Sequence, residues 1–136
     1  MTGGEIASPP DETRQTAGAQ PAAVFARLDR LRARADFLRA ARGRVAHAPG
    51  FVLQAREREE DDGPVRVGFT CSKKVGNAVA RNRAKRRLRE IARLELPANG
   101  RPGWDYVLIG RRDRTAEADF AEMRRDLVEA LAKVHP

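Results

Sequence analysis

The stretch from Phe69 to Glu90, FTCSKKVGNAVARNRAKRRLRE, concentrates side chains whose common chemistry is the binding of anions. From Val65 to Arg93 the bases are Arg66, Lys73, Lys74, Arg81, Arg83, Lys85, Arg86, Arg87, Arg89 and Arg93, and the only acid is Glu90. That segment alone exceeds the formal charge of +8 carried by the whole chain, so the remainder is near balance and the charge is a patch. A pI near 10.9 calls for an anionic partner, either a nucleic acid or a membrane surface. At helical spacing Arg81, Lys85 and Arg89 stack on one side, Asn82, Arg86 and Arg93 form an adjoining row, and Arg83 and Arg87 broaden it. Like charges so close cost a helix a few tenths of a kcal/mol per pair, and only Glu90, four residues after Arg86, offers relief. Phosphate neutralisation would offset that repulsion. The preponderance of arginine suits bidentate phosphate contacts and stacking on bases. A solvated helix face is the bland reading of any charge run, but this density beside a balanced remainder favours a polyanion. Lys73 and Lys74 extend the surface to the helix N-terminus, whose N–H groups also attract anions.

Other chemistry is scarce. His47 and His135 are isolated, one in a loop region and one near the C-terminus, with no nucleophile or ligand set at useful spacing. Cys71 is the only cysteine, which excludes an intramolecular disulfide and a cysteine-based zinc site, and it reads as a small core residue. There is no Walker-type phosphate loop, and Gly76 reads as the pivot of a tight strand-to-helix turn. The acids lie in the 57–62 loop and the last helix without metal-ligand spacing, and Trp104 reads as a packing anchor. The polypeptide alone does not look like a catalyst. No apolar run approaches a membrane span and the N-terminal stretch lacks the apolar region of a secretory signal, so a cytoplasmic protein is expected. A membrane-surface helix is disfavoured because the apolar stripe is mainly Ala with Leu88 and Ile91.

The elements that must position these residues follow from periodicity. Residues 1–24 are expected to be a disordered tail and 25–136 one domain that carries the basic surface. A helix is expected over Arg34–Arg42, with Asp36 near its start and Gly43 as its stop. A strand follows at Phe51–Arg56, with a short one near Arg44–His47 ahead of it, and Glu57–Pro64 reads as a loop. Val65–Ser72 alternates clearly. Val65, Val67, Phe69 and Cys71 face one way, and Arg66, Gly68, Thr70 and Ser72 face the other. With Phe51 and Leu53 opposing Val52, Gln54 and Arg56, one sheet face is oily and the other is left available. The basic helix starts after an Asn77 cap, packs through Ala80, Ala84, Leu88 and Ile91, and is expected to end before Pro97. Asp105–Gly110 reads as a buried strand. A last helix begins near Thr115–Asp119 and carries Phe120, Met123, Leu127, Leu131 and Val134 on one face. The sum is an α+β sandwich of about four strands and three helices, with two parallel strands joined through the basic helix. Spacing leaves the hand of that crossover open.

Ser72–Glu90 resembles the signature of the bacterial ribonuclease P protein family, through Gly76-Asn77-Ala78-Val79, Arg81-Asn82-Arg83 and Lys85-Arg86. The resemblance extends to Ala35-Asp36-Phe37, Phe51-Val52-Leu53 and Asp105-Tyr106-Val107-Leu108-Ile109, and spans nearly all of residues 28–133. It implies an α-β-β-β-α-β-α sandwich with a roughly four-stranded mixed sheet and a left-handed βαβ crossover, like the second domain of ribosomal protein S5. It implies a subunit of a ribonucleoprotein endoribonuclease whose RNA carries out Mg2+-dependent removal of the 5′ leader from precursor tRNA. The ions would be bound mainly by the RNA partner and the substrate. The partners would be the catalytic RNA and precursor tRNA, with no membrane and no stable protein partner. By position, Arg81, Asn82, Arg83, Lys85, Arg86 and Arg89 would contact the RNA subunit or lie near the leader and metal region. Phe37, Val52, Thr70, Ser72 and Lys74 would line the leader cleft between the first helix and the sheet, where an aromatic can stack on a base. Ala41 and Gln54 stand where the family often has aromatics, which implies weaker stacking here. The alternative is a non-enzymatic ribosomal or ribosome-assembly RNA-binding protein.

Overall fold

The structure is a computed structural model that describes residues 28–58 and 63–135. The expected tail, residues 1–24, and residues 59–62 of the acidic loop therefore lie outside the described residues. The chain runs β1 (Leu28–Arg30), α1 (Arg34–Ala41), β2 (Arg44–His47), β3 (Phe51–Glu57), β4 (Val65–Thr70), a 3-10 turn (Lys73–Val75), α2 (Ala78–Asn99), β5 (Trp104–Gly110), α3 (Arg114–Glu117) and α4 (Phe120–Val134). The α+β class is as expected, but the sheet has five strands rather than four, in the order β1-β4-β5-β3-β2. The added strand is Leu28-Asp29-Arg30, parallel to β4 with Leu28 opposite Val65. Three residues with two charges carry no alternation, so only the pairing with β4 makes them a strand. β4 and β5 are parallel neighbours joined through α2, as the spacing implied, while β3 pairs antiparallel with both β5 and β2.

Alternation in β3, β4 and β5 sends Phe51, Leu53, Ala55, Val65, Val67, Tyr106 and Leu108 to one face, all buried. They pack with Leu88, Ile91 and Leu96 of α2 and Met123, Leu127, Leu131 and Val134 of α4. Burying each such large side chain contributes about 1.5–3 kcal/mol. The opposite face is less open than its small and polar residues suggested. The chain crosses it through α1, and Leu31, Ala40 and Val107 form a second small core there with Phe37 and Ile109 against it.

Two boundaries differ from expectation for physical reasons. α2 runs through Pro97 to Asn99. Proline removes one N–H bond, to the Arg93 carbonyl. The last turn is nevertheless held by wholly buried Leu96, by Asn99 Nδ2 donating to Glu95 O at 2.9 Å, and by Gly100 N–H donating to Leu96 O at 2.7 Å. The last helical region is two helices, because Asp119 caps α4 by accepting from Glu122 N–H at 3.1 Å. α3 before it is pinned by buried Thr115, whose Oγ1 donates to Gly50 O at 2.6 Å and accepts from Arg111 N–H at 2.7 Å.

Candidate nucleic-acid interface

The turn from β4 into α2 is built to present cations. Gly76 has φ +146°, a region L side chains rarely adopt. Asn77 Oδ1 accepts from Ala80 N–H at 2.9 Å, and Ser72 Oγ accepts from Lys74 N–H at 3.2 Å. Exposed Ser72 and Lys74 thus sit at the same end of the molecule as the first turn of α2. Along α2, Ala84, Leu88, Ile91, Ala92 and Leu96 are buried against the sheet. Asn82, Arg83, Arg86 and Arg89 are exposed, and Arg81 and Lys85 are half-buried at the flank. Among the described residues none of Arg81, Arg83, Lys85, Arg86 and Arg89 forms an ion pair with an acid. Their positive charge is not neutralised within this part of the chain.

Two members of the helix depart from the expected surface. Glu90 pairs with Arg93, at 3.2 Å from Nε to Oε1, rather than relieving Arg86. Arg87 turns inward, donating to Ala116 O at 3.1 Å and to Ala118 O, with its guanidinium carbon 5.9 Å from the centroid of Phe120. It closes the elbow between α3 and α4 instead of broadening the charged face.

On the α1 side, three cross-strand rows define the surface. Thr70, Ile109 and Val52 form one, Gly68, Val107 and Gln54 the next, and Arg66, Asp105 and Arg56 the third. α1 covers the middle row. A Cβ on Gly68 would lie 2.5 Å from Phe37 Cε1 and Cζ, so the Phe37 ring needs glycine beneath it. Val52 and Thr70 are half-buried on either side of Ile109, in one row as the cleft reading requires, and Ser72 and Lys74 continue beyond the end of β4. Gln54 lies in the covered row and Ala41 is exposed at the end of α1.

The third row contains a feature that the sequence did not disclose. Asp105 is fully buried and receives Arg66 through two 2.8 Å bonds, Nε to Oδ1 and Nη2 to Oδ2. Arg58 Nη1 reaches Oδ1 at 2.5 Å, and Arg56 Nη1 lies 3.6 Å from Oδ2. Arg58, expected in a solvated loop, is itself buried and also donates to Trp104 O and Pro64 O. Arg66 reaches Asp36 of α1 at 3.5 Å, so the cluster ties α1 to three strands.

Because β1 stops at Arg30, the edge of β4 beyond it is left notched. Arg30, Leu31, Phe37, Gly68, Lys85 and Arg89 line a pocket of about 70 Å³ there. Phe37 of one layer and two bases of the other thus meet around the strand edge. No sequence signal pointed to this junction, since it depends on where an unforeseen strand ends.

The remaining candidates have structural roles. His135 Nε2 lies 2.7 Å from the Tyr106 hydroxyl, and its ring meets Trp104 edge-on at 4.4 Å. Burial, with Arg101 and Arg44 nearby, pushes its pKa down to about 4. Trp104 is buried as expected, stacked near Tyr106. Cys71 is half-buried against the main core, and burial raises its thiol above the usual range. His47 is exposed on β2.

Comparison with known proteins adds an independent observation. Residues 25–135 match the family model described as Ribonuclease P. The ribonuclease P protein component of Ruegeria pomeroyi is 62% identical over 106 residues, 77% of this chain and 85% of that protein. That of Paramagnetospirillum magneticum is 52% identical over 115 residues, covering 82% and 86%. Among solved structures, the ribonuclease P protein of Thermotoga maritima superposes with a TM-score of 0.66 at 31% identity, covering 79% of this chain and 99% of that one. That of Staphylococcus aureus gives 0.62 at 30% identity, covering 79% and 97%.

Proposed function

This chain belongs to the ribonuclease P protein family, and from that premise we propose how its surface serves the ribonucleoprotein. It is the protein subunit of an endoribonuclease that processes precursor tRNA. In our reading the catalytic centre lies in the RNA subunit. Arg81, Asn82, Arg83, Lys85, Arg86 and Arg89 hold that RNA or lie beside the leader and metal region, and Phe37, Val52, Thr70, Ser72 and Lys74 line the path of the 5′ leader. The observation that carries this is the run of unneutralised bases on α2 meeting Phe37 at the β4 edge. A basic surface beside an aromatic ring suits a single strand, with phosphates on the bases and a nucleobase against the ring. Ala41 and Gln54 supply no further aromatic, so leader affinity here rests more on charge than on stacking.

The chain's contribution is binding and orientation. Neutralising phosphates of leader and RNA subunit together lowers the repulsion between two polyanions held side by side. Among the described residues no group of three His, Cys, Asp or Glu is placed to hold a metal ion. In our reading Mg2+ is held mainly by phosphates of the RNA partner and the substrate. No described helix is long and apolar enough to cross a membrane. In our reading the subunit works in the cytoplasm with catalytic RNA and precursor tRNA as its partners and no stable protein partner.

Reconstitution tests it. The purified chain alone should cleave nothing, yet stimulate precursor-tRNA cleavage by its matched RNA subunit at low magnesium. Lack of stimulation would overturn the reading, and retention of ribosomal RNA instead in a pull-down would favour an assembly protein.

A further inference from the structure

The bases of α2 lie on both flanks of its buried stripe. Arg81, Lys85 and Arg89 fall on one flank, where Lys85 and Arg89 meet Phe37 at the β4 edge. Arg83, Arg86, Arg87 and Glu90 follow i, i+3, i+4, i+7 spacing on the other, facing the start of α4. There, with Phe120, they line a shallow groove open to solvent. Phe120 is only partly buried, and Arg87 fixes its position through the α3–α4 elbow contacts. Arg83 and Arg86 are exposed and have no acidic partner among the described residues, while Glu90 is already neutralised by Arg93. The groove thus combines a held aromatic ring with two free guanidiniums, the pair of groups that takes up an unpaired nucleotide.

We propose that this groove is a docking site for an unpaired nucleotide of the catalytic RNA subunit, its base against Phe120 and its phosphate on Arg83 and Arg86. The inference rests on the function proposed above and deepens it at Arg83 and Arg86, adding Phe120 as the residue that takes up a base. The partner is the RNA subunit rather than the leader, for a geometric reason. A leader strand in the Phe37 pocket would have to pass over the whole outer face of α2 to reach Phe120. A large folded RNA can touch both flanks at once.

Affinity for the matched RNA subunit at fixed salt, with and without precursor tRNA, decides the matter. Phe120→Leu should weaken binding to the RNA subunit about tenfold, while Phe120→Tyr stays within about twofold of wild type, since stacking on one base contributes on this scale. Phe120→Trp should be quenched on addition of the RNA subunit, with buried Trp104 as a constant background. Arg83→Gln with Arg86→Gln should remove that quench. If Phe120→Leu does not fold, the Phe120→Trp signal alone decides. Wild-type binding and stimulation, with Phe120→Leu unchanged and Phe120→Trp unquenched, would overturn this site and leave the proposed function standing. Quenching by precursor tRNA alone would overturn the choice of partner. Failure of the wild-type chain to bind or stimulate the RNA subunit would overturn both.

Discussion

Asp105 has no access to water, so its charge is balanced entirely by the guanidiniums of Arg58 and Arg66, with Arg56 slightly farther away. Removing one partner of such a cluster leaves buried charge uncompensated, at a cost of about 3–5 kcal/mol. Asp105→Asn should therefore destabilise the fold by that order in denaturant unfolding, and a loss below about 1 kcal/mol would show that the arginines find water instead. His135 gives a second prediction, with a definite sign. Its folded pKa of about 4 lies below the ordinary imidazole value of 6.5, so the folded state binds fewer protons between those limits. The Tyr106 hydroxyl accepts from Arg101 N–H at 2.9 Å, which leaves its own hydrogen to point at His135 Nε2 and favours the neutral ring. Stability from this residue is complete above pH 6.5 and is lost as pH falls toward 4. Because the ring is partly exposed, the loss should be about 1 kcal/mol between pH 6.5 and 5 rather than the full shift. Melting of wild type and His135→Phe across that window checks it. Equal pH slopes would assign the loss to other groups.

At the scale of elements, α2 supports its charge with strong local devices. It has a glycine at positive φ, an asparagine cap and a stripe of buried Leu, Ile and Ala. Arg81→Ala with Arg83→Ala should therefore leave the isolated fold intact, lower RNA affinity and flatten its salt dependence. Each lost phosphate contact should remove roughly 0.7–0.9 from the log–log slope. An unchanged slope would put the RNA face elsewhere. The same devices explain why α2, α4 and β4 were legible in sequence, since each has a strong period and a recognisable start. β1 was not, because its three residues become a strand only through β4. Pro97 misled because tertiary burial of Leu96 outweighed one missing hydrogen bond. The Asp105 cluster was hidden because its bases come from separate positions in β3, β4 and the loop start, and only sheet register assembles them. Phe120 packs against the core as its helical spacing implied, but spacing alone could not show that its ring also reaches the rim of a groove.

For the whole molecule, the sheet and the two helices packed on it separate two basic regions by the thickness of α2. The flank of Lys85 and Arg89 opens toward Phe37, where β1 ends early, and at that notch the proposed leader path meets the middle of the basic helix. Lys85→Ala with Arg89→Ala should therefore weaken holoenzyme binding to precursor tRNA carrying a leader more than to leaderless tRNA, by about tenfold in the ratio of the two affinities. Loss of two phosphate contacts at moderate salt is of this order. Arg83→Gln with Arg86→Gln, on the other flank, should weaken assembly with the RNA subunit while leaving that ratio unchanged once the subunit is saturated. Titrations of the saturated holoenzyme with both tRNA forms supply the measurement. If both pairs of substitutions shift the ratio equally, the two flanks act as one undivided electrostatic surface, and the division of labour across α2 fails.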